Sequence, residues 1–205
     1  MSVLVVLCHP APKSFNHEIV RAAMRGLERV GIPVVYHDLY RESFDPVLVE
    51  EEIRRRFSFD VNVQAYSREV TEAEGYLFVH PDWWGMPPAL LKGWLDRVFR
   101  PGIAYDYEGQ EFVRKQRVPL LAGRRGFVVC TTERESDDQA GSEPRPAHPV
   151  EALWREAIFG FCGIKEVSVR VLDDLRNTTL NRRRAWLREI EEETESFFSH
   201  GEPKI

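Results

Sequence analysis

Unbroken apolar runs alternate with stretches of helical periodicity along this chain. That pattern belongs to a sheet whose strands are buried on both faces beneath crossover helices. Val3 to Cys8 is continuous and β-branched-rich, and reads as the first strand. Ser14 then heads a segment with Phe15, Ile19, Ala22, Ala23, Leu27 and Val30 on one face, which predicts a helix capped by the serine and ended by Gly31. Further strands are predicted over Pro33 to Leu39, Gly75 to His80, Gly126 to Cys130 and Glu166 to Leu172. Further helices are predicted over Ala89 to Phe99, Val150 to Cys162 and Leu180 to Phe198. The first of these carries Leu91, Trp94, Leu95 and Val98 on its stripe, and the last turns Leu187, Ile190, Thr194 and Phe197 inward. Together they predict an α/β domain over residues 1–205: a five-stranded parallel sheet in the order 2-1-3-4-5 with helices on both faces. In such a sheet a ligand crevice opens at the carboxyl ends of strands 1, 3 and 4.

Three stretches break the pattern. Residues 47–74 are dense in charge, with Glu50-Glu51-Glu52 followed by Arg54-Arg55-Arg56, and read as one or two solvated surface helices. Ile103 to Tyr107 reads as a loop or a short extended piece. Residues 132–149 are polar and proline-rich without periodicity, a length of loop that in a compact domain is usually functional.

Composition narrows the classes. A net charge of −5 disfavours nucleic acid as a partner. No apolar run approaches the roughly 20 residues of a membrane helix. The N-terminus enters its first strand without a basic leader, so a cytoplasmic location is expected. The three cysteines, Cys8, Cys130 and Cys162, show neither CxxC nor zinc spacing, and Cys8 and Cys130 read as small core hydrophobes. No metal site is expected.

Chemistry should sit in the three crevice loops. The first, His9 to Asn16, lacks both GxGxxG and GxxxxGK[ST], but it runs into a helix N-terminus that favours phosphate. His9, Ser14 and Asn16 add side-chain donors there; an ordinary serine-capped turn is the alternative. The second, His80 to Pro88, holds Trp83 and Trp84. Either they fill space beneath the loop, or they wall a flat aromatic ligand while Gly85 lets backbone approach its polar edge. The third opens with Thr131-Thr132-Glu133, is acidic at Glu135, Asp137 and Asp138, and closes with His148, whose type suits proton handling. A phosphorelay receiver would need an acidic pair after strand 1, where Cys8-His9-Pro10 offers none.

Cys8-His9-Pro10 with Ser14-Phe15-Asn16 resembles the opening of the flavodoxin-like NAD(P)H:quinone oxidoreductases. The segment from His80-Pro81-Asp82-Trp83-Trp84-Gly85 through Leu91-Lys92-Gly93-Trp94 to Phe99 resembles the longest signature of that family, and Ile103-Ala104-Tyr105 and Phe161-Cys162-Gly163 continue the match. The resemblance implies a flavodoxin-like fold and a bound flavin, FAD or FMN. It assigns His9, Ser14, Phe15 and Asn16 to the phosphate and ribityl part, and Pro81, Asp82, Trp83, Trp84 and Gly85 to the ring. It implies that hydride passes from NAD(P)H through flavin to a quinone-type acceptor in a ping-pong cycle, with His148 as the acid. It also implies a homodimer in which the partner subunit, around Tyr105 and Tyr107, completes each site. Azo- or nitro-group reduction, an electron carrier, and a regulator of a potassium-efflux membrane transporter are alternatives within the same resemblance. One departure stands out. The family carries Thr-Thr-Gly-Gly in the third loop, and here Thr131-Thr132 precede Glu133-Arg134, so a carboxylate near the ring is expected to oppose the charge of reduced flavin and to weaken binding.

Overall fold

The computed structural model describes residues 1–109, 116–135 and 148–199. Five parallel strands form one sheet: β1 (Val3–Leu7), β2 (Val34–Asp38), β3 (Gly75–Pro81), β6 (Arg125–Thr131) and β7 (Glu166–Leu172), in the order β2-β1-β3-β6-β7. This is the expected order, with a small hairpin inserted before β6. Strand alternation divides the core in two. Leu4, Val6, Tyr76, Phe78, Val128 and Cys130 face one side, where α3 (Val61–Glu72), α4 (Ala89–Val98) and the helix after residue 148 cover them. Val3, Val5, Leu77, Val79, Phe127 and Val129 face the other, beneath α1 (Phe15–Arg29) and α6 (Leu180–Ser199). Both faces of the three central strands are thus dry, which is why those strands read as unbroken apolar runs. Cys8, Cys130 and Cys162 are buried free thiols, and burial pushes Cys8 up to about 12 and Cys162 up to about 11.

Helices α1 and α6 approach so closely that a Cβ on Gly26 would lie 2.4 Å from the Glu191 carbonyl oxygen. The inward stripe of α6 is carried by Trp186, Ile190, Thr194 and Phe198. The expected Leu187 and Phe197 flank it, half-buried.

The structure adds detail to the sequence reading at three places. The piece after Ile103 takes the extended alternative, as strand β4 (Tyr105–Glu108), and pairs antiparallel with a strand not expected, β5 (Gln116–Pro119), outside the main sheet. The charged stretch forms two helices, α2 (Glu50–Arg55) and α3, but it is not merely solvated. Glu52 is buried and accepts from Arg97 Nε at 3.0 Å and Nη2 at 2.7 Å, pinning α2 onto α4. A charge run shows its periodicity but not which member finds a buried partner. The expected helix from Val150 begins as α5 (Pro149–Ala152) and continues π-helical over Leu153–Gly160. The wider winding accompanies Trp154, whose indole Nε1 donates to His80 Nε2 at 3.0 Å across to β3.

Candidate functional site

The first crevice loop is held from behind. His9 Nδ1 accepts from the Ala11 N–H at 3.0 Å, which leaves the ring proton on Nε2. Burial lowers the basicity of His9, so the ring tends toward its neutral form. Ser14 caps α1 by position but makes no capping hydrogen bond to the helix backbone. Its hydroxyl instead shares a 2.9 Å hydrogen bond with His17 Nδ1, and His17 Nε2 lies 3.1 Å from Asp38 Oδ2 at the end of β2. Arg41 contacts the same Asp38 oxygen at 3.0 Å and donates to the Pro12 carbonyl at 3.1 Å, tying the loop to β2. The ring of Phe15 packs against Trp186, so only its backbone faces the loop. The N–H groups of Phe15 and Asn16 belong to the first turn, where a helix supplies no acceptor. Asn16 is buried and donates to Thr131 Oγ1 at 3.0 Å, bridging the first loop to the third.

The second loop turns on Trp83 and Met86, which exchange backbone N–H···O bonds of 3.0 and 3.3 Å. Between them Trp84 has φ 63° and Gly85 φ 76°, the pair of left-handed residues that a type I′ turn requires. Glycine adopts this freely. A tryptophan there is strained and persists where its exposure has a use. Trp84 is fully exposed and Trp83 is 42% exposed, so the space-filling alternative does not hold for either.

Behind the turn lies a polar knot. The Asp82 N–H donates to the Thr131 carbonyl at 2.7 Å. Asp82 Oδ2 accepts from Thr132 Oγ1 at 3.2 Å and faces His148 Nε2 at 3.3 Å. His148 Nδ1 accepts from the Val150 N–H at 3.3 Å, capping α5, so its proton sits on Nε2 and points at Asp82. Asp82 Oδ1 is buried without a hydrogen-bond partner among the described residues. His80 beneath is fully buried, and burial pushes its pKa down to about 4, so it is a neutral structural base for Trp154.

In the third loop the structure departs from the expectation for Glu133. Its side chain is exposed and its carboxylate is engaged by Arg176 at 2.6 Å, so a cation already compensates that charge. The Thr132 side chain accepts from the Arg134 N–H, and the main chain is stitched to β7 and the turn beyond it through Leu172, Asp174 and Leu175. Asp137 and Asp138 lie outside the described residues.

Thus His9, Ser14, Asp82, Trp83, Trp84, Gly85, Thr132 and His148 gather on loops at one end of the sheet, Phe15 and Asn16 open α1, Pro81 and Thr131 end β3 and β6 beside them, and Glu133 turns to Arg176. His17, Asp38, Arg41 and His80 were not singled out from sequence. His17 lies one turn after Ser14 and Asp38 ends the strand beside β1, so helix spacing and strand order together bring the two side by side.

The cluster fits a flavin phosphate at the first loop, where orphan N–H groups and the His9 and Ser14 side chains collect. It fits a flat ring beside the second, where the exposed tryptophans stand and Asp82 Oδ1 needs a donor such as a ring N–H. No cluster of metal-ligating side chains exists among the described residues.

Residues 1–194 match the model of a family described as having a flavodoxin-like fold. The ribosyldihydronicotinamide dehydrogenase [quinone] of Rattus norvegicus is 33% identical over 192 residues, 82% of this chain and 80% of its own length. The solved NAD(P)H:quinone oxidoreductase of Methanothermobacter marburgensis is 25% identical and superimposes with a TM-score of 0.77, covering 98% of this chain and 99% of its own. An FMN-dependent NADH-azoreductase of Bacillus anthracis, solved with FMN, has the same fold at 12% identity and a TM-score of 0.73, covering 98% of this chain and all of its own. The chain belongs to the flavodoxin-like NAD(P)H:quinone oxidoreductase family.

Proposed function

We propose that the protein is a flavin-dependent NAD(P)H:quinone oxidoreductase working by a ping-pong cycle. The observation that carries this reading is the convergence, at the carboxyl ends of β1, β3 and β6, of a phosphate-ready helix start and an exposed tryptophan turn beside a buried, unpartnered carboxylate oxygen. A flavin held there would supply hydride transfer between the nicotinamide and the acceptor. The residues do the rest. The α1 start and the His9 and Ser14 side chains hold the phosphate. Trp83 and Trp84 would wall the ring and limit water there. Asp82 accepts from the ring edge through Oδ1, while Thr132 and His148 fix its other oxygen. For His148 to act as the acid, Nδ1 would first take a proton from solvent in place of the Val150 N–H contact; the imidazolium would then give its Nε2 proton to the acceptor oxygen and return to the neutral ring. Initial rates measured with NADH or NADPH and a benzoquinone both varied should give parallel double-reciprocal lines, the signature of one shared site visited in turn. Intersecting lines would require both substrates bound at once and would reject the cycle.

The same reading includes a homodimer. Beside the tryptophan turn a cavity of about 560 Å³ is lined by Leu48, Ile53, Phe99, Leu153 and Phe161, and it reaches Met86 and Tyr105. Arg100 borders it, buried, with Nε and Nη1 lacking an acceptor among the described residues. Buried guanidinium N–H groups without acceptors are costly. A second copy seated on this face would cover the apolar wall, bring acceptors to Arg100 and border the ligand site.

A further inference from the structure

His17 is a buried histidine that the reaction above does not use. It joins Ser14, at the place where a flavin phosphate would sit, to Asp38, at the end of β2. Its two contacts dictate its proton inventory. The Asp38 carboxylate only accepts, so His17 Nε2 carries a hydrogen. Nδ1 is then a lone pair when the ring is neutral, and the Ser14 hydroxyl must spend its single proton on it. In that state Ser14 has nothing to donate to an anion. When Nδ1 is protonated, the bond reverses: Nδ1–H donates to Ser14 Oγ, and the hydroxyl proton is released toward the loop.

Resting on the flavin reading, we infer that His17 is a positioning residue that couples binding of the flavin phosphate to uptake of one proton. The proton comes from solvent and settles on Nδ1, and the Ser14 O–H re-aims at a phosphate oxygen; no covalent bond to carbon or phosphorus changes. The surroundings support an imidazolium that is balanced rather than isolated. Asp38 faces it at 3.1 Å, with Arg41 on the far side of that carboxylate. Tyr36 and Glu42 lie around Asp38. His9 stands edge-on with its ring centroid 6.5 Å away. Glu18 and Arg21 on the same helix pair with each other in solvent. The sign follows from linkage. A site that takes up a proton binds at full strength at low pH, and its affinity falls by up to about tenfold per pH unit where the free form has lost that proton.

The test is calorimetric titration of the apoprotein with FMN and with riboflavin, in buffers of different ionisation enthalpy, between about pH 7 and pH 9. There the FMN phosphate, with a second pKa of about 6, is already dianionic and releases nothing. FMN should take up as much as about one proton, with an affinity that falls as pH rises, and riboflavin should take up none. His17→Gln should abolish the uptake and weaken FMN by about tenfold, leaving riboflavin binding as it was. Ser14→Ala, which leaves the His17–Asp38 contact intact, should also abolish it and gives the same readout if the His17 variant does not fold. FMN binding by the natural protein without proton uptake, or uptake that survives both substitutions, would overturn the coupling alone. Binding of FAD but of neither FMN nor riboflavin would overturn the coupling alone, and failure to bind any of the three would overturn the flavin reading, and the coupling with it.

Discussion

Trp84 combines full exposure with a left-handed backbone, two features that folding alone does not favour. Its role is therefore expected to show in ligand retention and not in stability. Trp84→Ala should lose most of its flavin on desalting while its urea midpoint shifts by less than about 0.5 kcal/mol equivalent. A variant that keeps its flavin would remove Trp84 from the ring site. His148 poses a different question, because its resting contacts, with the Val150 N–H and Asp82, keep both ring nitrogens occupied. His148→Gln should slow the acceptor half-reaction by roughly 10- to 100-fold in stopped-flow absorbance, leaving reduction by NAD(P)H near its original rate. Equal slowing of both halves would make His148 a support for Asp82 and not a proton donor. At this scale the sequence was most readable where a residue is unusual for its place, as two adjacent tryptophans are in a turn. It was least readable where the meaning lies in a partner. Nothing in the string Ser14-Phe15-Asn16-His17 says that the histidine turns toward Asp38, or that Glu133 turns to Arg176.

Elements here are stitched together by buried polar contacts. The His80–Trp154 bond joins the end of β3 to the π-helical segment, directly under the crevice. Because burial holds His80 down at about 4, well below the ordinary histidine value of 6.5, the unfolded chain binds more protons than the folded one between those limits. The stabilisation is complete above about 6.5 and is lost as pH falls toward 4, so about 2 kcal/mol should go between pH 6.5 and 5. His37 works in the opposite sense: burial lowers it, but hydrogen bonds to Glu42 and Glu69 outweigh that and raise it. The clean readout is therefore the difference in urea stability between the natural protein and His80→Gln across this range. A variant with an undiminished slope would contradict the assignment. The element plan itself was legible because both-face burial writes continuous apolar runs for β1, β3 and β6. The β4–β5 hairpin was not, since its short strands are half-exposed and carry no alternation strong enough to stand out.

Across the whole molecule, the strand order places three loops together, and this placement was legible from alternation and crossover handedness alone. The face around Arg100 was not legible, because an apolar wall looks the same in sequence whether a core or a second copy covers it. Sedimentation velocity at micromolar concentration should give twice the mass of one chain, and Arg100→Ala should move the distribution toward monomer. A monomeric natural protein would contradict the proposed face. No described helix is long and apolar enough to cross a membrane. The proposed function turns on the flavin at the three loops. The direct measurement is the visible absorption spectrum of the purified protein after incubation with FMN or FAD and desalting. It should retain flavin bands that NAD(P)H bleaches without air and a quinone restores. A colourless protein with both flavins, or bands that NAD(P)H leaves untouched, would contradict it.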